Sequence, residues 1–279
     1  MIQRRGLIGM LAANFIRNIT ITSWIVTANV LLFILFYLLT SINPSFIDNI
    51  ALKPAELLNG KIWLLVTSIF MHGGIGHLFM NMFSLVFIGK FLERIIGRKR
   101  FFWFYIISGV AAGLIYSVLA IAFGGFFPNL FGTINTSAVG ASGALFGLLG
   151  VLAVLTPKAR VYLIAGPLIA IIIQSIIEMF ANNSLVSILG FIVSFYFLIS
   201  LFSLLSFNRK MMKIALPLEM PFWILPVIAI VPLVIASFFV NLPIGNTAHL
   251  GGLLTGLAYG WYLRQRYKKK VALLNRMIR

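Results

Sequence analysis

Apolar, uncharged runs of about 20 residues recur along this chain from Ile19 to Leu263, with short basic clusters between them. Few folds accept that pattern. Inside a hydrocarbon layer every backbone N–H and C=O needs an internal partner, so such runs are read as membrane-spanning helices. Composition agrees: 61% of residues are hydrophobic, 10% are charged and the mean hydropathy is +1.06. A soluble protein cannot hide that much apolar surface. The 279 residues leave room for roughly seven to nine spans with short loops, and no sizeable soluble domain.

The charge pattern sets a direction. A net charge of +17 could suggest nucleic acid, but the cations sit in clusters between apolar runs, so no nucleic acid partner is expected. Anionic lipid headgroups are the better counter-charge, and the lipid bilayer is the expected partner. The start of the chain carries Arg4, Arg5 and Arg17 without a convincing cleavage site. Residues 1–18 are therefore expected to be a basic cytoplasmic tail, with 6–16 able to lie on the membrane surface as a short helix. An Arg-rich, acid-free start is also a feature of mitochondrial presequences. There is no cysteine, which removes disulfides and thiol catalysis.

The expected spans are Ile19 to Ile42, His77 to Ile96, Phe101 to Phe123, Val139 to Leu155, Val161 to Phe180, Leu185 to Phe207, Phe222 to Val240 and His249 to Leu263. The segment from Asn43 to Gly76 is too polar at its start to span, although Ile62 to Met71 could dip into the interface. Eight spans place both termini on one side, with a second basic tail at 264–279. Of the 22 Lys and Arg, only Lys53 and Lys61 then fall on the other side. That asymmetry orients the chain with its termini in the cytoplasm, multi-pass in the cell membrane. Ser142, His77 and His249 then all enter their helices from the outer face, at similar depth.

Those three residues are the ones able to do chemistry there. Ser142 lies in Gly140-Ala141-Ser142-Gly143, and His249 in Ala248-His249-Leu250-Gly251-Gly252. Gly252, Gly256 and Gly260 follow His249 on one helical face, and Gly143, Gly147 and Gly150 follow Ser142. Small-residue stripes let helix backbones approach closely, which can bring a serine oxygen to the roughly 3 Å from imidazole nitrogen that general-base activation requires. Of the five acids, Glu93 and Glu219 map to the inner side, Asp48 and Glu56 to the long outer segment, and Glu178 to the end of an extra span. None is placed to orient His249, so a Ser-His dyad is expected rather than a triad. His77 and Asn81, one turn apart, can donate hydrogen bonds to an oxyanion together with the Ser142 backbone N–H. A metal site built on His72, His77 and His249 competes, but there is no HExxH pattern and no acid placed as base, so no metal and no cofactor is expected.

Taken together these residues resemble a rhomboid intramembrane serine protease. The likeness rests on Gly140-Ala141-Ser142-Gly143, on His77 with Asn81, and on His249 with Gly252 and Gly256. Gly89, Glu93 and Gly97 leading into Arg100, Phe101 and Tyr105 add to it, as do Trp63 and Thr67 before His72. It covers most of residues 20–160 and 217–264. The resemblance implies an all-α polytopic fold with a six-helix core, a Ser142–His249 dyad and an oxyanion hole of His77 and Asn81. It implies Gly140, Gly143, Gly252, Gly256 and Glu93 as structural residues near the site, Glu93 being a brace rather than an acid catalyst. It further implies a mobile cap near Asn241 to Ala248, a water-filled cavity opening outward, and transmembrane protein substrates cut at small residues.

Two departures stand out. Many rhomboids have Trp-Arg in the first loop where this chain has Trp63-Leu64. The family core also has one span between the serine and histidine helices, whereas three apolar runs separate Ser142 from His249. A two-helix insertion at about 161–207, within a membrane domain of 19–263, accounts for this and keeps His249 entering from the outer face. The alternative function on the same fold is a non-catalytic rhomboid-like factor that binds or escorts membrane proteins. A small transporter would need repeated halves and paired ionisable residues, and neither is evident. The sequence does not set the oligomeric state.

Overall fold

The computed structural model describes residues 20–164, 166, 169–170, 183–205, 209–238 and 245–278. The tail at 1–18, its surface helix and the start of the first span at Ile19 lie outside the described residues. So do most of Val161 to Phe180, including Glu178, and residues 241–244 of the expected cap.

The chain is mostly helical. Among the described residues three helices are long and apolar enough to cross a membrane: α1 (Ile21–Ile42), α4 (Ile75–Ile96) and α5 (Arg98–Phe123). Between α1 and α4 lie two short helices, α2 (Pro54–Leu58) and α3 (Leu64–Phe70). After α5 come α6 (Pro128–Phe131) and α7 (Ser142–Leu155). Strand β1 (Arg160–Ile164) precedes α8 (Asn183–Leu205) and α9 (Arg209–Met212), and strand β2 (Pro217–Pro221) precedes α10 (Ile224–Ser237). The last two helices are α11 (Asn246–Arg266) and α12 (Lys268–Met277).

One feature departs from an all-α fold. Residues 161–164, expected to begin a span, pair antiparallel with 217–220, and Arg160 faces Pro221. Arg160-Val161-Tyr162-Leu163-Ile164 is β-branched and aromatic, which suits a strand. Pro217 and Pro221 bracket β2, where a missing N–H is tolerated on a two-stranded edge. Arg160 and Glu219 approach to 3.6 Å across the pair. The expected basic turn thus continues into a two-stranded antiparallel sheet, so residues 161–164 do not begin a membrane-spanning helix.

The core is built around α7. Leu148, Val151 and Leu152 on α7 are fully buried, together with Leu85 and Leu92 on α4 and Phe101 and Tyr105 on α5. By contrast Leu31, Tyr37 and Leu38 of α1, and Phe191, Phe195 and Phe202 of α8, are exposed. In a lipid-facing bundle such surfaces need no polar cover.

Glu93 is the one buried carboxylate among the described residues. Its Oε1 accepts the Ile21 N–H at 2.8 Å, and its Oε2 accepts the Thr22 N–H at 2.9 Å and the Thr22 hydroxyl at 2.7 Å. A carboxylate there satisfies the orphan donors of the first turn of α1 and complements its dipole. Arg98 approaches the same group at 3.8 Å. Glu93 thereby ties α1 to α4 at the end of the bundle away from Ser142. Glu93→Gln is expected to destabilise the fold by about 2–3 kcal/mol, the range for a charged hydrogen-bonding group lost from a buried site. A melting temperature in detergent equal to that of the wild type would show that the three bonds contribute nothing net.

Candidate active site

Ser142 is the first residue of α7, and the backbone before it is held by hydrogen bonds to neighbouring segments. Helix α7 has 14 residues, so it is about 21 Å long against a hydrocarbon thickness of about 30 Å. That is short of a full crossing, and the non-helical backbone before it needs partners for its polar groups wherever water is excluded. They find them. Leu52 and Ala138 exchange both backbone hydrogen bonds, at 3.1 and 2.8 Å, and the Gly140 N–H donates to Ser68 O at 2.8 Å. This is why the helix expected from Val139 starts at Ser142. Gly140 turns the chain with φ +119°, and a Cβ there would lie 2.8 Å from both Cε1 and Nε2 of His77. Only glycine meets both demands.

His249 sits in the first turn of α11, one turn after Asn246. Its Nε2 lies 2.8 Å from Ser142 Oγ. Two things hold it there. The Phe146 ring, one turn along α7 from Ser142, stacks on the imidazole with centroids 4.4 Å apart and planes 20° apart. The glycine stripes do the rest. A Cβ on Gly252 would run into the carbonyl oxygen of Gly143, one on Gly256 into that of Gly147, and one on Gly150 would lie 2.7 Å from Leu253 O. Backbone thus meets backbone along the seam of α7 and α11. The other ring nitrogen of His249, Nδ1, is buried and meets no hydrogen-bond partner among the described residues. Among the described residues no carboxylate orients the ring.

His77 and Asn81 lie on α4, facing the same space. The Gly73 N–H donates to His77 Nδ1 at 3.4 Å, which leaves Nε2 as the ring's N–H donor, beside Gly140. The Asn81 amide donates to His77 O at 3.0 Å, within its own helix, and is buried. His72 plays a part that sequence reasoning considered only as a metal ligand. Its ring is edge-on to His77, with centroids 5.2 Å apart. Its Nδ1 pairs with Phe70 O at 3.3 Å, and Nε2 lies 3.5 Å from the Ala141 N–H. Burial, reinforced by neighbouring His77, pushes the His72 pKa down to about 4. The ring is neutral at pH 7 and can accept from the peptide that precedes Ser142. Phe146 was also missed; its signal is the i, i+4 spacing from Ser142. Among the described residues no three His, Cys, Asp or Glu form a metal-holding group.

Ser142, His249, His77 and Asn81 all line one cavity of about 1260 Å³, walled by α4, α5, α7, α10 and α11 and by the 128–140 segment. The first loop is anchored without an arginine after Trp63. The Trp63 indole N–H donates to Asn49 O at 3.2 Å and the Thr67 hydroxyl to Ile50 O at 2.9 Å, while Leu64 is fully buried. Both cations of that loop are paired, Lys53 with Asp48 at 2.5 Å and Lys61 with Glu56 at 2.7 Å.

Comparison with known proteins gives one family. The Rhomboid domain pattern matches residues 59–197 and 161–266. The chain is 43% identical over 90 residues to RHOMBOID-like protein 1 of Arabidopsis thaliana, covering 32% of this chain and 20% of that protein. It is 31% identical over 137 residues to a protein named Inactive RHOMBOID-like protein 8 of the same plant, covering 49% of this chain and 34% of the relative. It is 33% identical over 123 residues to Rhomboid protein 1, mitochondrial, of Saccharomyces cerevisiae (strain ATCC 204508 / S288c), covering 44% and 33%. The matches thus span about a third or less of each of these relatives.

Proposed function

The chain belongs to the rhomboid family, and from that premise we propose that it is an intramembrane serine endopeptidase using a Ser142–His249 dyad. The observation that supports this reading best is the 2.8 Å approach of Ser142 Oγ to His249 Nε2 inside a large cavity. In the proposed reaction Ser142 Oγ attacks the carbonyl carbon of a peptide bond while His249 Nε2 takes its proton. The tetrahedral oxyanion is held by the Ser142 backbone N–H, His77 Nε2–H and the Asn81 amide, which swings from its intrahelical bond to do so. His249 returns the proton to the leaving amine, and an acyl ester on Ser142 remains. Water, activated by the same imidazole, then hydrolyses the ester, so the cavity must be wet. No cofactor enters any step.

Eight spans with both termini in the cytoplasm would open this cavity to the outer face, and the substrates would be transmembrane segments of other proteins with small residues at the cut. Gly140, Gly143, Gly252 and Gly256 set the approach of the dyad in this scheme, and Glu93 braces the fold. Alanine at Asn81 is expected to lower kcat about 10²–10³-fold, the usual loss for one oxyanion donor, with a near-normal KM. Steady-state cleavage of a fluorogenic transmembrane peptide separates the two constants.

A second reading, a non-catalytic factor that binds or escorts membrane proteins, gains weight from the relative named inactive. One experiment separates them. The purified protein is treated with a fluorophosphonate, with Ser142→Ala and His249→Ala as controls. Covalent labelling lost in both variants supports the protease. A wild type that takes no label and leaves a model transmembrane substrate intact favours the binder.

A further inference from the structure

Far from Ser142, between the start of α5 and the second half of α11, lies a groove of about 460 Å³. Its walls are apolar. Trp103 and Ile107 are 54% and 56% exposed along it, and Phe104 stacks on Tyr259 at 4.6 Å and 13° to form a stiff floor. The Thr255 hydroxyl on the wall donates to Gly251 O at 2.9 Å. The mouth is cationic, with Lys99 and Arg100. From Lys99 to Ile107 the slot runs about 12 Å along α5, so it is charged at one end and greasy along the rest.

Among the described residues no carboxylate pairs with the cations at the mouth. Arg100 Nη2 donates to the Tyr267 hydroxyl at 2.7 Å, and its guanidinium lies 5.0 Å from that ring's centre. Arginine has five N–H donors, so most remain available. Lys270 lies 5.9 Å from the same ring. The ion pairs among the described residues involve Lys53, Lys61, Arg98 and Arg160, and none reaches Lys99, Arg100 or Lys270. Helix α12, which carries Lys270, is pinned to the far end of the serine helix by the Asn275 amide, which donates to Leu155 O at 2.7 Å.

We propose that this groove is a binding site for one anionic phospholipid, its phosphate between Lys99 and Arg100 and an acyl chain along Trp103 and Ile107. The argument is charge complementarity joined to an apolar slot of matching direction. Basic pockets between spans at the basic face of a membrane protein suit acidic headgroups, and a chain in hydrocarbon needs nothing polar from the walls. A free phosphate would use the mouth and ignore the slot. A zwitterionic lipid would use the slot and gain little from the mouth. This goes beyond the proposed proteolysis and does not depend on it.

Native mass spectrometry of the full chain in neutral detergent tests it, with phosphatidylglycerol, phosphatidylcholine and inorganic phosphate as probes. Phosphatidylglycerol is expected to stay bound at one per chain in preference to phosphatidylcholine. Lys99→Gln with Arg100→Gln is expected to cut its retention about tenfold or more, the effect of two headgroup-facing cations. Thr255→Trp, which fills the slot and leaves the cations, should cut it as well. Lys268→Gln with Lys269→Gln, on exposed positions of α12 outside the groove, should change it less than about twofold if attraction is local rather than general. Should loss of the Tyr267 contact unfold the double variant, Lys99→Glu alone serves. Equal retention of the two lipids would overturn the site, as would displacement by inorganic phosphate alone. So would losses in the α12 variant equal to those in the groove.

Discussion

Ser142→Ala is expected to lower kcat/KM for a transmembrane peptide by about 10⁴-fold or more while leaving the fold intact. The change removes one oxygen. Alanine fits the start of α7 without strain, and the lost hydrogen bond to His249 is worth about 1 kcal/mol, so the melting temperature should move by only a few degrees. His249→Ala should abolish turnover to the same degree. Combining the two should cost nothing further, because a nucleophile and its base act as a unit. His249→Ala will also lose the Phe146 stack, so it is the less clean probe. Cleavage assayed in proteoliposomes decides. A Ser142→Ala protein that keeps a tenth of wild-type turnover would remove the serine from the chemistry and return the chain to the binding reading.

Much of the helical frame is legible in the sequence, and physics explains where legibility stops. Helices α1, α4 and α5 are long, apolar and bounded by polar or basic residues, and hydropathy locates them to within a few residues. The glycines along α7 and α11 announce close packing because nothing else justifies so many small residues in register. The strand at Arg160–Ile164 is not legible in that way. A short apolar run reads alike as helix or strand, and its partner lies more than 50 residues on, beyond any local period. The true start of α7 is hidden for a related reason. The positive φ of Gly140 answers to the His77 ring across the bundle, and no pattern near Gly140 encodes that ring's position. His72 is harder still. It acts through its place beside Ala141, and a histidine near a glycine pair gives no hint of which peptide it will meet. Counting the five acids left the expectation of a dyad, and among the described residues His249 Nδ1 meets no hydrogen-bond partner.

Gly252→Ala should couple packing to chemistry. Gly125→Ala, at an exposed turn with nothing within 4 Å of an added Cβ, should do neither. At Gly252 the new methyl would occupy the position of the Gly143 carbonyl oxygen, a backbone atom that cannot rotate away. Helices α7 and α11 must therefore part, and overpacking of this kind costs about 1–3 kcal/mol. Gly143 directly follows Ser142, and His249 lies one turn before Gly252, so the separation acts on the dyad itself. A displacement of about 1 Å between reacting groups costs on the order of 10²-fold in rate. Gly252→Ala should thus lose both melting temperature and kcat/KM, where Ser142→Ala loses only the second. Fluorophosphonate labelling should slow in parallel, since the same base activates Ser142 toward the reagent. If Gly252→Ala kept wild-type melting and turnover, the seam would have room for a side chain and the approach of Ser142 to His249 would be set elsewhere. If melting fell but turnover per folded molecule did not, the glycines would serve assembly alone.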